Sequence, residues 1–155
     1  MAVIRHGPRV GRGALQAVCS ISDDTDHVKI LLAHRADPNG AATLRGAPKY
    51  YGQALALYHG SRIQSATPLI RLLADLDGLT PLATVALNGK TSMACALIEA
   101  RAALDQGNWR GLNAQMIAER EGFPNFLPDI VAATNTRGNL IDSVYGVGAV
   151  GIASV

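Results

Sequence analysis

Residues 78–105 read GLTPLATVALNGKTSMACALIEARAALD and contain two short helical patterns separated by a glycine. Thr80 is a residue type that caps helix starts by accepting hydrogen bonds from backbone N–H groups, and Pro81 suits the first helical turn, where its missing N–H costs nothing. Gly89 permits the left-handed backbone that ends a helix and reverses the chain. The second pattern places its apolar residues along one helix face: Met93, Ala94, Leu97 and Ile98. The stretch therefore predicts two antiparallel helices.

The same features recur at a constant interval along the chain. The pair Gly78-Leu79 matches Gly111-Leu112, and Gly89 matches Gly122, both at an offset of 33 in the numbering. Residues 31–37 (LLAHRAD) match residues 97–103 (LIEARAA) at an offset of 66, which is twice that interval. Because one short helix pair cannot bury both of its faces, the repetition predicts helix pairs that stack on one another.

This pattern resembles the ankyrin repeat family, whose unit has a Thr-Pro-Leu-His-like start, a central glycine, paired leucines and a Gly-Ala-Asp-x-Asn-like end. The resemblance covers residues 13–133 and implies an all-α solenoid of about four units, each a helix pair followed by a projecting loop, the finger. The best match is residues 78–105, and the last unit covers residues 111–133. Departures from the family occur at Ala83, where the family has His, and at Gln115, where it has Leu.

The second unit, residues 46–77, matches the family least well. Helices are expected from Pro48 to His59 and from Thr67-Pro68 to Ala74-Asp75, but the finger that follows is several residues short. The register of this unit against the others therefore stays open, and a rearranged unit is one of the alternatives.

The resemblance implies a non-catalytic module that binds an unidentified protein partner without a cofactor or a metal. Trp109 is the only tryptophan of the chain, and Trp and Arg are the residue types most enriched at binding hot spots. The alternative is that its indole folds down onto neighbouring residues, and the helical tyrosines Tyr50, Tyr51 and Tyr58 leave the same two possibilities. The expected contact residues lie in fingers and at exposed positions of a first helix: Arg45, Asp105, Asn108, Trp109 and Arg110, with Thr84, Leu87 and Asn88.

Composition restricts the classes of function. A length of 155 residues with 48% hydrophobic residues predicts one domain with a core. A net charge of +2 is too small to indicate a dedicated nucleic-acid or membrane binder. The sequence contains no run of 18 apolar residues, so it predicts no membrane span. Cys19 and Cys95 fit no metal-binding spacing and are expected as small core residues, and no secretion signal is evident, so a cytoplasmic location is expected.

Both ends of the chain differ in composition from the middle. Residues 1–12 hold Arg5, Arg9 and Arg12 without an acid and are interpreted as a basic N-terminal arm. Residues 134–155 are interpreted as an apolar tail, whose last stretch, GVGAVGIASV, is expected to dock on the body as coil or strand. An exposed end of the solenoid would favour self-association. A further alternative to the binding module is that the chain is a structural segment of a larger protein.

A histidine phosphatase is the alternative from another class of function. The run Arg5-His6-Gly7 resembles the start of that family, where a histidine is phosphorylated and arginines hold the phosphate, and His59 can be read as a second histidine region. That fold needs a parallel sheet, however, and the chain lacks strand patterns that alternate with helices.

Two shorter motifs have structural interpretations. Residues 89–92 (GKTS) resemble the end of a phosphate-binding loop, but Thr84 stands where that motif requires glycine, so an inter-helix turn is expected. The acidic run of Asp23, Asp24 and Asp26 with His27 is expected to start a helix, where carboxylates favour the positive end, although a cation site is the alternative.

Overall fold

The computed structural model describes residues 13–146, with the side chains of residues 61, 64 and 137–146 excepted. Over this range the chain is helical and contains no strand, which confirms the all-α class. The helices are α1 (Ala14–Ile21), α2 (Thr25–Ala33), α3 (Ala47–His59), α4 (Pro68–Asp75), α5 (Pro81–Leu87), α6 (Thr91–Glu99), α7 (Ala114–Arg120) and α8 (Phe126–Gly146), with a 3₁₀ helix over Gly60–Ser65.

Helices that lie one interval of 33 residues apart begin with equivalent capping residues. The Thr80 hydroxyl accepts a hydrogen bond from the backbone N–H of Ala83 and caps α5. At the equivalent position one interval further along the chain, the side chain of Asn113 accepts from the N–H of Met116 and caps α7 in the same way. Each cap satisfies an N–H group that has no partner inside the helix.

Equivalent residues also end the helices. Gly89 and Gly122 follow α5 and α7 and have positive φ angles of 65° and 94°. Arg35 and Arg101, which are two intervals apart, follow α2 and α6 with φ angles of 61° and 65°. The loops after α2 and α6 make the same pair of backbone hydrogen bonds, the arrangement of a Schellman helix end. The backbone conformation therefore repeats at the same interval as the sequence.

Three helix pairs stack side by side around one core. Helix α5 packs between α1 and α7, and α6 packs between α2 and α8, so the pairs α1/α2, α5/α6 and α7/α8 form two layers. The largest fully buried side chains come chiefly from the middle pair: Leu79, Leu82, Val85, Met93 and Leu97, with Ile117 from α7 and Val28 from α2. The pair that matches the repeat pattern best is thus the one with neighbours on both sides.

The second unit, whose register the sequence leaves open, does not stack between the first and third units. Its helices lie close to the predicted bounds, but α1 packs directly against α5, while α3 and α4 pack chiefly against each other. The backbone N–H of Ala42 donates to the carbonyl oxygen of Leu79, and the N–H of Gly78 donates to that of Ala42. Residues 43–77 are therefore an insertion, which leaves the stack and rejoins it at the same place; its helices are called the inserted hairpin below.

The last helix runs beyond residue 133, the predicted end of the repeat domain. Helix α8 continues to Gly146, and no proline interrupts the chain between residues 129 and 146. The basic arm and residues 147–155 of the tail lie outside the described residues. No helix between residues 13 and 146 combines the length and apolar character needed to cross a bilayer.

Candidate protein-binding surface

The eight predicted contact residues differ in their exposure. Arg45, Asn88 and Asp105 are exposed and Leu87 is half-buried, so these positions are open to contact. Thr84 and Asn108 are only 1% and 7% exposed, and their predicted exposure is wrong. The remaining two, Trp109 and Arg110, are partly exposed.

Thr84 is buried because it joins neighbouring helix pairs. Its hydroxyl lies 3.2 Å from Nε2 of Gln16, which donates to it from α1, and it donates in turn to the carbonyl oxygen of Thr80. A polar group enclosed between two helices needs such partners. Thr84 therefore links α1 to α5.

The finger after α6 contacts the chain itself. The amide of Asn108 donates to the carbonyl oxygen of Asp75 at 3.0 Å, and the indole N–H of Trp109 donates to that of Ala74 at 2.8 Å. The backbone N–H of Trp109 donates to the carbonyl oxygen of Asp77. Because carbonyl groups at a helix end lack partners within the helix, the two side-chain donors cap the end of α4, and the backbone N–H holds the residue two positions beyond it. This finger thus holds the inserted hairpin in place.

A set of buried ion pairs strengthens this contact. The carboxylate of Asp75, fully buried, lies 2.8 Å from Nη1 of Arg110 and 2.6 Å from Nη1 of Arg120. Along the same helix, Arg71 pairs with Glu121 at 2.8 Å, and Glu121 also accepts from Nε of Arg120. Burial of charge is tolerated only when each charge has partners. Helix α4 is therefore bound to α7 and to the finger through charge as well as through hydrogen bonds.

The lysine of the phosphate-loop-like motif has a structural contact. Nζ of Lys90 donates to the carbonyl oxygens of Cys19 and Ser22 at 3.2 and 2.8 Å, at the end of α1, and lies 3.1 Å from Asp23. Gly89 lies in the turn between α5 and α6, as predicted. Lys90 thus serves as a cap for the neighbouring pair.

The acidic run starts a helix, as the sequence predicts. Asp24 caps α2 by accepting from the N–H of Asp26, and His27 lies one turn into that helix. Among the described residues, no group of three or more His, Cys, Asp or Glu side chains is placed to hold a metal ion. Residues 5–7 of the phosphatase alternative lie outside the described residues, and residues 13–146 contain no part of the sheet that this fold requires.

Helix α3 presents its large apolar side chains to solvent. Tyr50, Tyr51, Leu57 and Tyr58 are 68%, 63%, 78% and 86% exposed. Tyr51, Leu57 and Tyr58 follow Tyr50 by one, seven and eight residues. Since each residue turns the helix by about 100°, the four positions fall within about 120° of its circumference. These four side chains, with the exposed Ala54 between them, form the outer face of α3.

The opposite face of α3 carries small residues. Gly52 and Ala56 are buried against α4, and a Cβ atom added at Gly52 would lie 2.5 Å from the carbonyl oxygen of Leu73. Helices usually bury their larger apolar side chains and expose polar ones. The distribution in α3 is inverted, because the close approach of α4 admits only small side chains.

The chain on either side of α3 is basic. Arg45 lies just before α3 and Arg62 just after it, and both are exposed. Residues 38–74 contain no aspartate or glutamate. The sequence left these tyrosines open between a core and a contact role, although their spacing, with Gly52 and Ala56 on the other side, is a signal that could have identified the exposed face.

Searches with protein-family models and among curated proteins find no match to this chain. The resemblance to ankyrin repeats therefore rests on the residues that carry it and on the interval between them.

Proposed function

We propose that this protein is a non-catalytic module that binds another protein, built as an ankyrin-like stack with an inserted helical hairpin. The helix caps and glycine turns that recur at the constant interval support the ankyrin-like part. A stack whose units share one core presents its surface without an ordering step, which lowers the entropic cost of binding.

The contact surface of this proposal differs from the fingers that the family resemblance implies. The finger residues Asn108, Trp109 and Arg110 are engaged by α4, so the chain itself occupies part of that surface. Arg45 remains in the proposed surface, because it is exposed and lies just before α3 in the chain. Leu87, Asn88 and Asp105 remain candidates for further contacts.

The observation that carries the proposal is the inverted face of α3. Four large side chains, three of them tyrosines, lie together in solvent on one helix. They offer on the order of 500 Å² of area, as much as the largest apolar patch of a typical monomer, and such patches are often binding sites. Tyrosine is also enriched in protein interfaces, where its ring packs and its hydroxyl bonds.

Affinity capture with matched variants tests this proposal. The full chain and the double variant Leu57→Ser/Tyr58→Ser are used as baits in extract of cells that produce the protein, and bound proteins are identified by mass spectrometry. The control is Ile21→Ser, which removes an equally exposed apolar side chain (84%) from α1. We expect a partner that the control retains and the double variant loses.

Two results would contradict the proposal. Equal retention by both variants would place the binding surface elsewhere. The absence of any protein that wild type retains above an unrelated bait would argue against a protein-binding role. Circular dichroism of each variant confirms that the helices are intact.

A further inference from the structure

We propose that the partner segment bound by the outer face of α3 is an acidic amphipathic helix of another protein. This inference rests on the proposed function and adds the chemistry of the partner. The segment would carry an apolar stripe in its middle and carboxylates at both ends.

The apolar stripe follows from the shape of the face. Ala54 lies at its centre, and Tyr50, Tyr51, Leu57 and Tyr58 surround it. A small residue among large ones forms a shallow hole into which an apolar side chain of a second helix can pack. Helix α3 has 13 residues and is about 20 Å long, so a partner helix of about four turns covers it.

The carboxylates follow from the charges at the two ends. Arg45 and Arg62 are exposed and flank α3 in the chain, and neither forms an ion pair with another described residue. The other two cations of this segment are already engaged: Lys49 lies 3.5 Å from Asp77, and Arg71 pairs with Glu121. These two arginines flank the helix in the chain, one before its start and one after its end, and opposite charges at the ends of a bound helix would select the partner and speed association.

Other occupants fit this face less well. Two exposed arginines neutralise few phosphates, so affinity for a nucleic acid or an anionic membrane would be small. The outer face of a second copy, laid against the first, would oppose arginine with arginine, without an acid in residues 38–74 to compensate.

Two synthetic peptides test the inference. Each peptide is long enough for about four helical turns and carries leucines at helical spacing and a fluorescent label. One has glutamates in its first and last turns, and the other has lysines at the same positions. Binding to the full chain is measured by fluorescence anisotropy. We expect the acidic peptide to bind at least ten times more tightly than the basic one, and 0.5 M salt to reduce this difference.

Variants assign the binding to its two components. Arg45→Glu/Arg62→Glu should weaken binding of the acidic peptide at least tenfold and strengthen binding of the basic one. Leu57→Ser/Tyr58→Ser should weaken both peptides at least tenfold. The matched controls are Ile21→Ser and Lys29→Glu, which change an exposed apolar residue and an exposed charge away from α3 and should leave both affinities unchanged.

Several outcomes would overturn the inference. The first is equal affinity for the two peptides, and the second is that neither peptide binds. The third is that single-stranded oligothymidine or phosphatidylserine vesicles bind more strongly than the acidic peptide, and that this binding is lost in the α3 variants. Light scattering that shows an oligomer of wild type, dispersed by Leu57→Ser/Tyr58→Ser, would assign the face to a second copy. If captured proteins depend on Leu57 and Tyr58 but the peptides are not distinguished, the protein-binding function stands and only the partner chemistry fails.

Discussion

The indole N–H of Trp109 donates a hydrogen bond of 2.8 Å to the carbonyl oxygen of Ala74, and so joins the finger after α6 to the last turn of α4. The only tryptophan of the chain therefore contacts the inserted hairpin, while 38% of its surface stays exposed. Its fluorescence consequently reports whether the hairpin is docked on the stack.

Trp109→Phe should destabilise the protein by at least about 1 kcal/mol, because the side chain stays aromatic but is smaller, and the carbonyl oxygen of Ala74 loses its donor. Urea unfolding followed by circular dichroism measures this change. The control is Tyr58→Phe, which removes a polar group from a side chain that is 86% exposed and should change stability by less than about 0.5 kcal/mol. Equal stabilities of Trp109→Phe and wild type would show that the hydrogen bond contributes nothing.

Asp75→Asn should be more harmful, with a loss of roughly 3–5 kcal/mol. The change removes the negative charge that Arg110 and Arg120 share, so that Arg110 loses its ion-pair partner and Arg120 keeps only Glu121. The control Asp26→Asn makes the same chemical change in an exposed ion pair with Lys29 and should cost less than about 1 kcal/mol.

The fluorescence of Trp109 localises the effect of Asp75→Asn. We expect its emission to shift to the red and its quenching by iodide to increase, since α4 is the element that the lost charge holds. Unchanged emission together with a stability loss below about 1 kcal/mol would mean that this ion cluster does not dock the hairpin.

Lys90→Met should cost about 1–3 kcal/mol, because it keeps the apolar stem but removes the donors to the carbonyl oxygens of Cys19 and Ser22. Lys29→Met is the matched control, since this lysine is exposed and its loss should cost less than about 1 kcal/mol. Urea titrations compare both variants with wild type. A thermal shift of wild type on addition of inorganic phosphate or ATP, abolished by Lys90→Met, would instead favour the phosphate-loop interpretation.

The two cysteines should differ in reactivity. Burial raises the pKa of the Cys19 thiol from 9.0 to about 11, since a thiolate in the core would lose its hydration, and the charge of Lys90 only partly offsets this. Cys95 is half-buried. At pH 8, a thiol reagent should modify Cys95 first and Cys19 only after unfolding; equal rates in the native protein would contradict the burial of Cys19.

The raised pKa of Cys19 also predicts a loss of stability in alkali. Between pH 9 and about 11 the unfolded thiol ionises while the folded one stays protonated, so stability that is complete below pH 9 decreases as the pH rises. Cys19→Ala should therefore lose less stability than wild type between pH 8 and pH 10.5 in urea unfolding. All other side chains are the same in both proteins, so the difference between the two isolates Cys19.

Local sequence was sufficient to predict the helices and their caps. Thr80, Gly89 and Gly122 act through their own backbone and the next few residues, and the bounds of α3 and α4 were predicted to within about a residue for the same reason. The burial of Leu97 followed from the spacing of its apolar stripe, which is likewise a local property.

The order in which the helices pack was a property of the tertiary structure. Helix α1 meets α5 because Ala42 pairs with Gly78 and Leu79 across residues 43–77, a contact between positions that no local pattern relates. The same contact turns the second unit into an insertion, brings Asp75 to Arg110 and Arg120, and buries Asn108, which the sequence placed in solvent. Spacing along the chain defines the faces of each helix. Which of these faces is buried depends on the helices that the folded chain packs against it. For that reason the small residues of α3 lie inside and its tyrosines outside.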